Sequence, residues 1–235
     1  KTSSISIIIP TLNEEGNLDR LLSWLRAQPD LEIIVVDGGS TDRTVACALR
    51  HGVQVVTTEP GRGRQLSRGA ELASGEVLLF LHADTLLPDD FATLIAAVLA
   101  LPQTAAGAFR LRIDAQGFGY RCIQWGANLR SRLLAMPYGD QAIFVRHAVL
   151  RQAGGVPRQP ILEDVALIRR LTRFGSIRIA PAAVTTSARR WQRLGLIRTT
   201  LRNQLVLLGG LCGISPQTLH RFYTDGHGTG GTKQP

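Results

Sequence analysis

Four short apolar runs separated by three stretches of helical periodicity fill residues 5–81, and that alternation constrains the fold more than any other feature of the chain. Ile5-Ser6-Ile7-Ile8-Ile9 reads as a buried strand that ends at Pro10. A helix capped near Asn13 follows, with Leu18, Leu21, Leu22 and Leu25 on one face. Strand 32–36, a Gly-rich turn, helix 42–50, strand 53–57, helix 62–73 and strand 76–81 complete the run. Apolar strands alternating with helices predict an α/β protein with a mostly parallel central sheet and helices on both faces. Beyond residue 88 the alternation loosens. A helix is predicted from Pro88, as first helical position, through residue 99, then strand 107–113, helix 118–136, strand 142–146 and helix 163–173. Short strands near 177–179 and 183–187 and helices around 194–208 and 216–223 follow. One domain over residues 1–224 is expected, divided into halves 1–109 and 110–224. The tail 225–235 holds four glycines and no apolar residue, and is expected to be disordered.

Composition matters most through its distribution. The net charge is +9, but residues 1–109 carry eight Lys or Arg against thirteen Asp or Glu, and residues 110–235 carry nineteen against five. The basic residues are nearly all arginine, since Lys1 and Lys233 are the only lysines. A P-loop, a Schiff-base lysine and a kinase-type phosphate clamp all need an internal lysine and are excluded. Gly61-Arg62-Gly63 continues with Gln65-Leu66 where a dinucleotide fingerprint needs a third glycine, and no Gly-x-Ser-x-Gly or His-Glu-x-x-His is present. Cys47, Cys122 and Cys212 are too far apart for a Cys-x-x-Cys site, which favours a reducing, cytoplasmic setting. No apolar stretch approaches the length of a membrane span, and the N-terminus runs straight into a strand, so no signal peptide is expected.

Open parallel sheets bind ligands outside the carboxyl ends of their strands. Those positions hold Pro10-Thr11-Leu12-Asn13-Glu14, then Asp37-Gly38-Gly39-Ser40-Thr41-Asp42, then His82-Ala83-Asp84. Asp37 follows four apolar residues directly and could accept from a ribose hydroxyl or a base N–H. Ser40 or Thr41 would cap the next helix. Asp84 is the better candidate for a divalent cation completed by phosphates and water. Asp89 and Asp90 are read instead as first-turn acids favoured by the helix dipole. His82 is open between a second ligand, a hydrogen-bond partner and a core imidazole. Arg62 and Arg64, flanking the Gly61–Gly63 loop, are candidates to reach phosphates.

In this order and spacing the motifs resemble a family 2 glycosyltransferase with the GT-A fold. The resemblance extends to Gly139-Asp140-Gln141, Gly154-Gly155-Val156-Pro157 and Glu163-Asp164, and spans roughly residues 5–195. His82-Ala83-Asp84-Thr85, Pro137-Tyr138-Gly139-Asp140-Gln141 and Ser187-Ala188-Arg189-Arg190-Trp191 are most similar to the small soluble subgroup associated with arsenosugar biosynthesis. The resemblance implies a nucleotide-diphospho-sugar donor, UDP-type favoured, and an unknown hydroxyl acceptor. Pro10, Thr11, Asn13, Glu14, Asp37, Gly61, Arg62, Arg64, His82, Ala83 and Asp84 would lie on the donor side. Asp84 would hold Mn²⁺ or Mg²⁺, and Asp164 would be the base, with Asp140 in reserve. Asp140, Gln141, Glu163, Arg190 and Trp191 would face the acceptor. One base without a second nucleophile implies inversion. The usual Asp-x-Asp is His-x-Asp here, which removes a charge beside the metal and makes Mn²⁺ more attractive. Ser187 stands where processive members carry Gln, which disfavours polymer synthesis.

Two stripes remain. Phe118, Cys122, Trp125, Leu129, Leu133 and Met136 share a helical spacing, and so do Leu194, Ile197, Leu201, Leu205 and Leu208, with arginines off each stripe. Either could lie on an anionic membrane, giving peripheral contact, but docking on the core is the commoner fate of such stripes and is expected here. A nucleic-acid binder and a non-catalytic nucleotide-sugar sensor are the rival classes. The first lacks interleaved aromatic residues, and no nucleic-acid partner is expected.

Overall fold

The computed structural model describes residues 4–225. The first half follows the predicted alternation: β1 (Ile5–Thr11), α1 (Glu15–Leu25), β2 (Leu31–Asp37), α2 (Thr44–Arg50), β3 (Gln54–Thr57), α3 (Arg62–Leu72) and β4 (Val77–Phe80). There follow β5 (Thr85–Leu86), α4 (Phe91–Ala100), β6 (Thr104–Asp114), α5 (Phe118–Leu134), a single 3₁₀ turn (Gly139–Gln141), β7 (Phe144–Arg146), α6 (His147–Gln152) and α7 (Glu163–Leu171). The chain continues through β8 (Ser176–Ser187), α8 (Arg189–Leu194), α9 (Leu196–Leu211) and α10 (Pro216–Asp225). Residues 226–235 of the expected tail lie outside the described residues, and Asp225 closes the last helix.

The sheet order is β3-β2-β1-β4-β7-β6-β8-β5. β3, β2, β1 and β4 run parallel, as do β6 and β8, while β7 is antiparallel to both its neighbours and β5 is antiparallel to β8. The sheet is mixed and mostly parallel, as expected, with β7 and β5 as its antiparallel strands. Apolar periodicity reports burial, and it carries no strand direction. The strands expected at 177–179 and 183–187 are one strand. Ala108 pairs with Ile179 and Arg110 with Ala183, so residues 180–182 bulge out of register and accommodate Pro181, which cannot donate to a ladder.

Alternation along β1 builds the two faces. Ile7 and Ile9 pack with the four α1 leucines, Leu79, Phe91 and Ile95. Ile8 points the other way, with Leu66 and Ala70 of α3 and Leu167, Ile168 and Leu171 of α7. α3 reaches the sheet because residue 69 is glycine: a Cβ there would lie 2.3 Å from Ile8 Cγ2. Pro88 precedes α4 by three residues and is not its first position; Asp90 occupies the cap position without a side-chain cap bond.

The stripes depart furthest from expectation. α5 docks through its polar side, because β7 pairs only with Ala106 and Gly107 and leaves the rest of that edge of β6 without a strand. Side-chain amides satisfy it instead. Leu111 N–H donates to Asn128 Oδ1 (2.7 Å), Asn128 Nδ2 donates to Leu111 O (3.0 Å) and Ile113 N–H donates to Gln124 Oε1 (2.9 Å). With the amide side inward, Phe118, Cys122, Trp125, Leu129 and Leu133 are exposed. α9 likewise buries Thr199, Val206 and Leu207 and exposes Ile197, Leu201, Leu205 and Leu208. Docking of these stripes on the core is not what the structure shows.

Candidate active site

The rim is organised before any ligand arrives. Asn13, held at φ 55°, accepts at Oδ1 from Thr41 N–H (2.8 Å) and gives its own N–H to Ser40 Oγ (2.9 Å), tying the first strand-end loop to the second. It does not cap α1, which starts at Glu15. Asp37 is 1% exposed and accepts from Gly39 N–H, Ser40 N–H, the Ser40 hydroxyl and the Thr11 hydroxyl. Its acceptor capacity is spent on shaping the loop, and it lines neither of the cavities described below. Neither Ser40 nor Thr41 caps α2. Asp42 accepts from Thr44 N–H (2.9 Å) in that place.

Gln65 is a residue the sequence reading passed over. Buried on α3, it donates from Nε2 to Thr11 O and Val36 O, 2.8 Å each, and lies beneath Gly38, whose hypothetical Cβ would be 3.1 Å from it. A glutamine amid the inward residues of α3 was the available signal. Gly63 performs a similar service at the start of α3. A Cβ there would fall 2.5 Å from Pro157 O and 2.7 Å from Gln159 O, so its absence lets α3 close on the loop that leads into Glu163 and Asp164.

Two cavities of about 560 and 630 Å³ open over this rim. The second is lined by Pro10, Thr11, Asn13, Glu14, Gln65 and Ala83. The first is lined by Asp140, Glu163, Asp164, Trp191 and the inner side of α9. Arg62, His82, Asp84 and Arg190 line both, so the cavities meet at these four side chains. Arg64 lines neither; it pairs with exposed Glu59 at 2.5 Å. Gly61 (φ 138°) also stands back and only opens α3. Gln141 is fully buried, accepts from Ser131 Oγ and Tyr138 N–H, and donates to Phe109 O (3.0 Å), so it supports the 3₁₀ turn and does not face an acceptor.

At the junction, Arg62 pairs with buried Glu163 and stands 3.6 Å from Asp164. Asp164 accepts from Gly139 N–H and Val165 N–H, both 2.8 Å. Gly139 sits between His82 and Asp164: a Cβ on it would be 3.2 Å from the imidazole and 3.4 Å from the carboxylate. Desolvation, then Arg62 and Arg190, push the His82 pKa down to about 3, so the ring is neutral. Desolvation also raises Asp140 to about 6, despite Arg130, and its Oδ1 is buried with no hydrogen-bond partner. Glu163 is raised by burial against the pull of Arg62. Trp191 Nε1 and the Tyr138 hydroxyl are likewise buried and unpartnered. Arg189 clasps Glu14 through Nη2, at 2.7 and 2.8 Å, and so ties α8 to the first rim loop.

Asp84 fits a divalent cation. Desolvation and then Glu14 raise its pKa, and the hydrogen bond its carboxylate accepts from the Thr85 hydroxyl is long at 3.4 Å. A neutral imidazole two residues away offers no competing charge. Among the described residues, the one cluster of three ligating side chains with all ligand atoms within 4.8 Å is Asp19, Cys47 and His51. It joins α1 to the end of α2, away from the rim. A cation at Asp84 would thus depend on ligand phosphates for much of its shell.

A cleft at parallel strand ends, a half-buried aspartate whose carboxylate has little hydrogen bonding and an adjoining carboxylate-lined cavity define the chain, by class, as an α/β protein with a ligand site at the carboxyl ends of its strands. Residues 6–153 match the glycosyl transferase family 2, and the chain belongs to that family. A glucosyl-3-phosphoglycerate synthase of Mycolicibacterium smegmatis is 26% identical over 95% of this chain and 83% of its own length. The Mycobacterium tuberculosis enzyme of that name is 33% identical over 97 residues, which span only 30% of its length. Its crystal structure with Mn²⁺, UDP and glucosyl-3-phosphoglycerate superposes with a TM-score of 0.65 at 23% identity, covering 91% of this chain and 81% of that one. A mannosyltransferase from Pyrobaculum calidifontis, bound to GDP-Man and Mn²⁺, gives 0.65 at 22% identity, covering 84% and 62%. These likenesses bear out the GT-A fold. Among the described residues no helix is long and apolar enough to cross a membrane.

Proposed function

We propose that the protein is an inverting, metal-dependent glycosyltransferase that moves a sugar from a nucleotide-diphosphate donor to an acceptor hydroxyl. The observation that carries this reading is the meeting of the two cavities at Arg62, His82, Asp84 and Arg190. The cleft above Pro10, Thr11, Asn13, Glu14 and Ala83 would take the nucleoside, with Asp37 and Gln65 fixing its floor. A UDP-type donor is favoured, in keeping with the UDP carried by the mycobacterial neighbour.

A divalent cation, Mn²⁺ or Mg²⁺, held by Asp84 would supply positive charge to the departing diphosphate. Arg62 and Arg190 face the same point and would share that load. Asp164 is proposed as the base, held in place by two backbone N–H groups at the edge of the acceptor cavity. A second candidate has its own observation. Asp140 has a pKa near neutrality and a partnerless oxygen, the combination a general base needs at pH 7. Trp191 and Glu163 would contact or shape the acceptor site. Assignment to arsenosugars or related glycosides rests on the His82 to Thr85, Pro137 to Gln141 and Ser187 to Trp191 sequences alone. Three free cysteines accord with a cytoplasmic setting.

The test is a panel of UDP- and GDP-sugars, scored for hydrolysis and transfer with and without Mn²⁺. Turnover of at least one donor that needs the metal, lost in Asp84→Asn, is the expected result. Binding without any turnover would make the protein a sensor. Asp164→Asn and Asp140→Asn, assayed side by side, identify the base as the variant that loses transfer by about a hundredfold or more.

A further inference from the structure

We infer that the outward faces of α5 and α9 dock the protein on an anionic lipid bilayer. The exposed side chains are large and regularly spaced: Phe118 is 80% exposed, Trp125 69%, Leu133 69%, Ile197 71% and Leu201 59%, with Leu205 and Leu208 continuing the second stripe. They face outward for a structural reason. The amide side of α5 is committed to the open edge of β6, and the buried side of α9 closes a cavity, so neither helix can roll its apolar stripe inward without losing those contacts. The two helices touch where Gly119 faces Leu196.

Charge chooses the occupant. Neither helix, nor α8 between β8 and α9, contains an aspartate or glutamate, and residues 165–224 contain none at all. Arg121 and Arg132 flank the α5 stripe and Arg193 precedes that of α9, all three exposed. An apolar stripe with arginine edges and a tryptophan within it is the pattern of a helix lying in the headgroup plane. A second copy of the chain would bring the same arginines against each other, with no acidic residue on either helix to receive them. Residues 226–235 contain no large apolar side chain that could cover the stripes. Both helices are shorter than a membrane span, which keeps the contact at the surface.

The inference does not rest on the sugar-transfer reading, and its test needs no donor. Vesicles of phosphatidylcholine, alone or mixed with phosphatidylglycerol, are incubated with the protein and sedimented. The expected result is binding to the mixed vesicles, weakened by salt, with a blue shift in tryptophan emission that is lost in Trp125→Ser. The double variant Trp125→Ser/Leu201→Ser should bind about tenfold or more weakly while keeping the parent's melting temperature and donor hydrolysis. Arg121→Glu/Arg132→Glu should remove the preference for anionic lipid while leaving the fold intact. Equal sedimentation with and without vesicles overturns the proposal. So does a concentration-dependent dimer in analytical ultracentrifugation that Leu201→Glu dissociates, since the face would then belong to a second copy.

Discussion

At the scale of single residues, the site contains groups held in states that folding alone would not choose. Asp140 is the clearest. Its pKa of about 6 lies above the ordinary carboxylate value, so the folded protein binds its proton more tightly than the unfolded chain does. Stability from this group is therefore greatest below pH 4 and falls as pH rises through 6. Asp140→Asn should leave the unfolding free energy unchanged near pH 4 and raise it by roughly 2–3 kcal/mol at pH 7, read from urea titrations at the two pH values. Gly63 makes the opposite kind of demand. The atoms nearest a new Cβ are backbone carbonyls that cannot rotate away, so Gly63→Ala should cost about 2 kcal/mol and lower the melting temperature by several degrees. The sequence marks Asp140 as a reserve base only through the family resemblance, and the burial of its oxygen shows only in the fold; Gly63 reads as part of the Gly61–Gly63 loop, with no sign of the carbonyls it meets.

Elements were more legible than their partners. Every strand and helix of residues 5–81 appears within a few residues of where its apolar period placed it, and all but the edge strand β3 bury residues in the core. α6, only six residues long and with Leu150 as its one buried side chain, offered no period to detect. α5 was found as a helix and assigned the wrong face. Asn128 and Gln124, off the apolar stripe, complete the β6 edge, and only the short length of β7 bears on that open edge. Among the strands, Glu32 of β2 joins three segments: it accepts from the Ser6 hydroxyl on β1 and from the Ser74 N–H (2.8 Å) and hydroxyl (2.9 Å) before β4. Burial pushes its pKa up, but the hydrogen bonds from Ser6 and Ser74 outweigh that and leave it below the usual value. Its contribution is present above pH 4.5 and disappears as pH falls through the lowered value. Glu32→Gln should lose about 1–2 kcal/mol at pH 7 and progressively less as pH falls below 4.5, a difference that thermal melts across that range will register.

For the whole molecule, the acidic and basic halves of the sequence prove not to be separable units. β7, at residues 144–146, lies between β4 and β6, with Leu79 opposite Phe144 and Gly107 opposite the same residue. The side of β4 away from β1 is thus completed by chain from beyond residue 110. A fragment of residues 1–109 should show no cooperative unfolding transition by circular dichroism, although it contains the best-predicted elements. The rim residues of that fragment were legible as a set because they end consecutive parallel strands. Their complement, from Tyr138 to Trp191, is gathered from three separate stretches, residues 138–140, 160–164 and 186–191, and nothing local in the sequence announces that they meet.

Arg62 gives the arrangement a sense of timing. Its guanidinium pairs with Glu163 and lies 3.6 Å from Asp164, so one cation holds two carboxylates of the acceptor cavity. In the proposed reaction a donor diphosphate between Arg62 and Arg190 would compete with both carboxylates for that cation. Donor binding would then reshape the acceptor cavity, and initial-rate kinetics should show the donor binding before the acceptor.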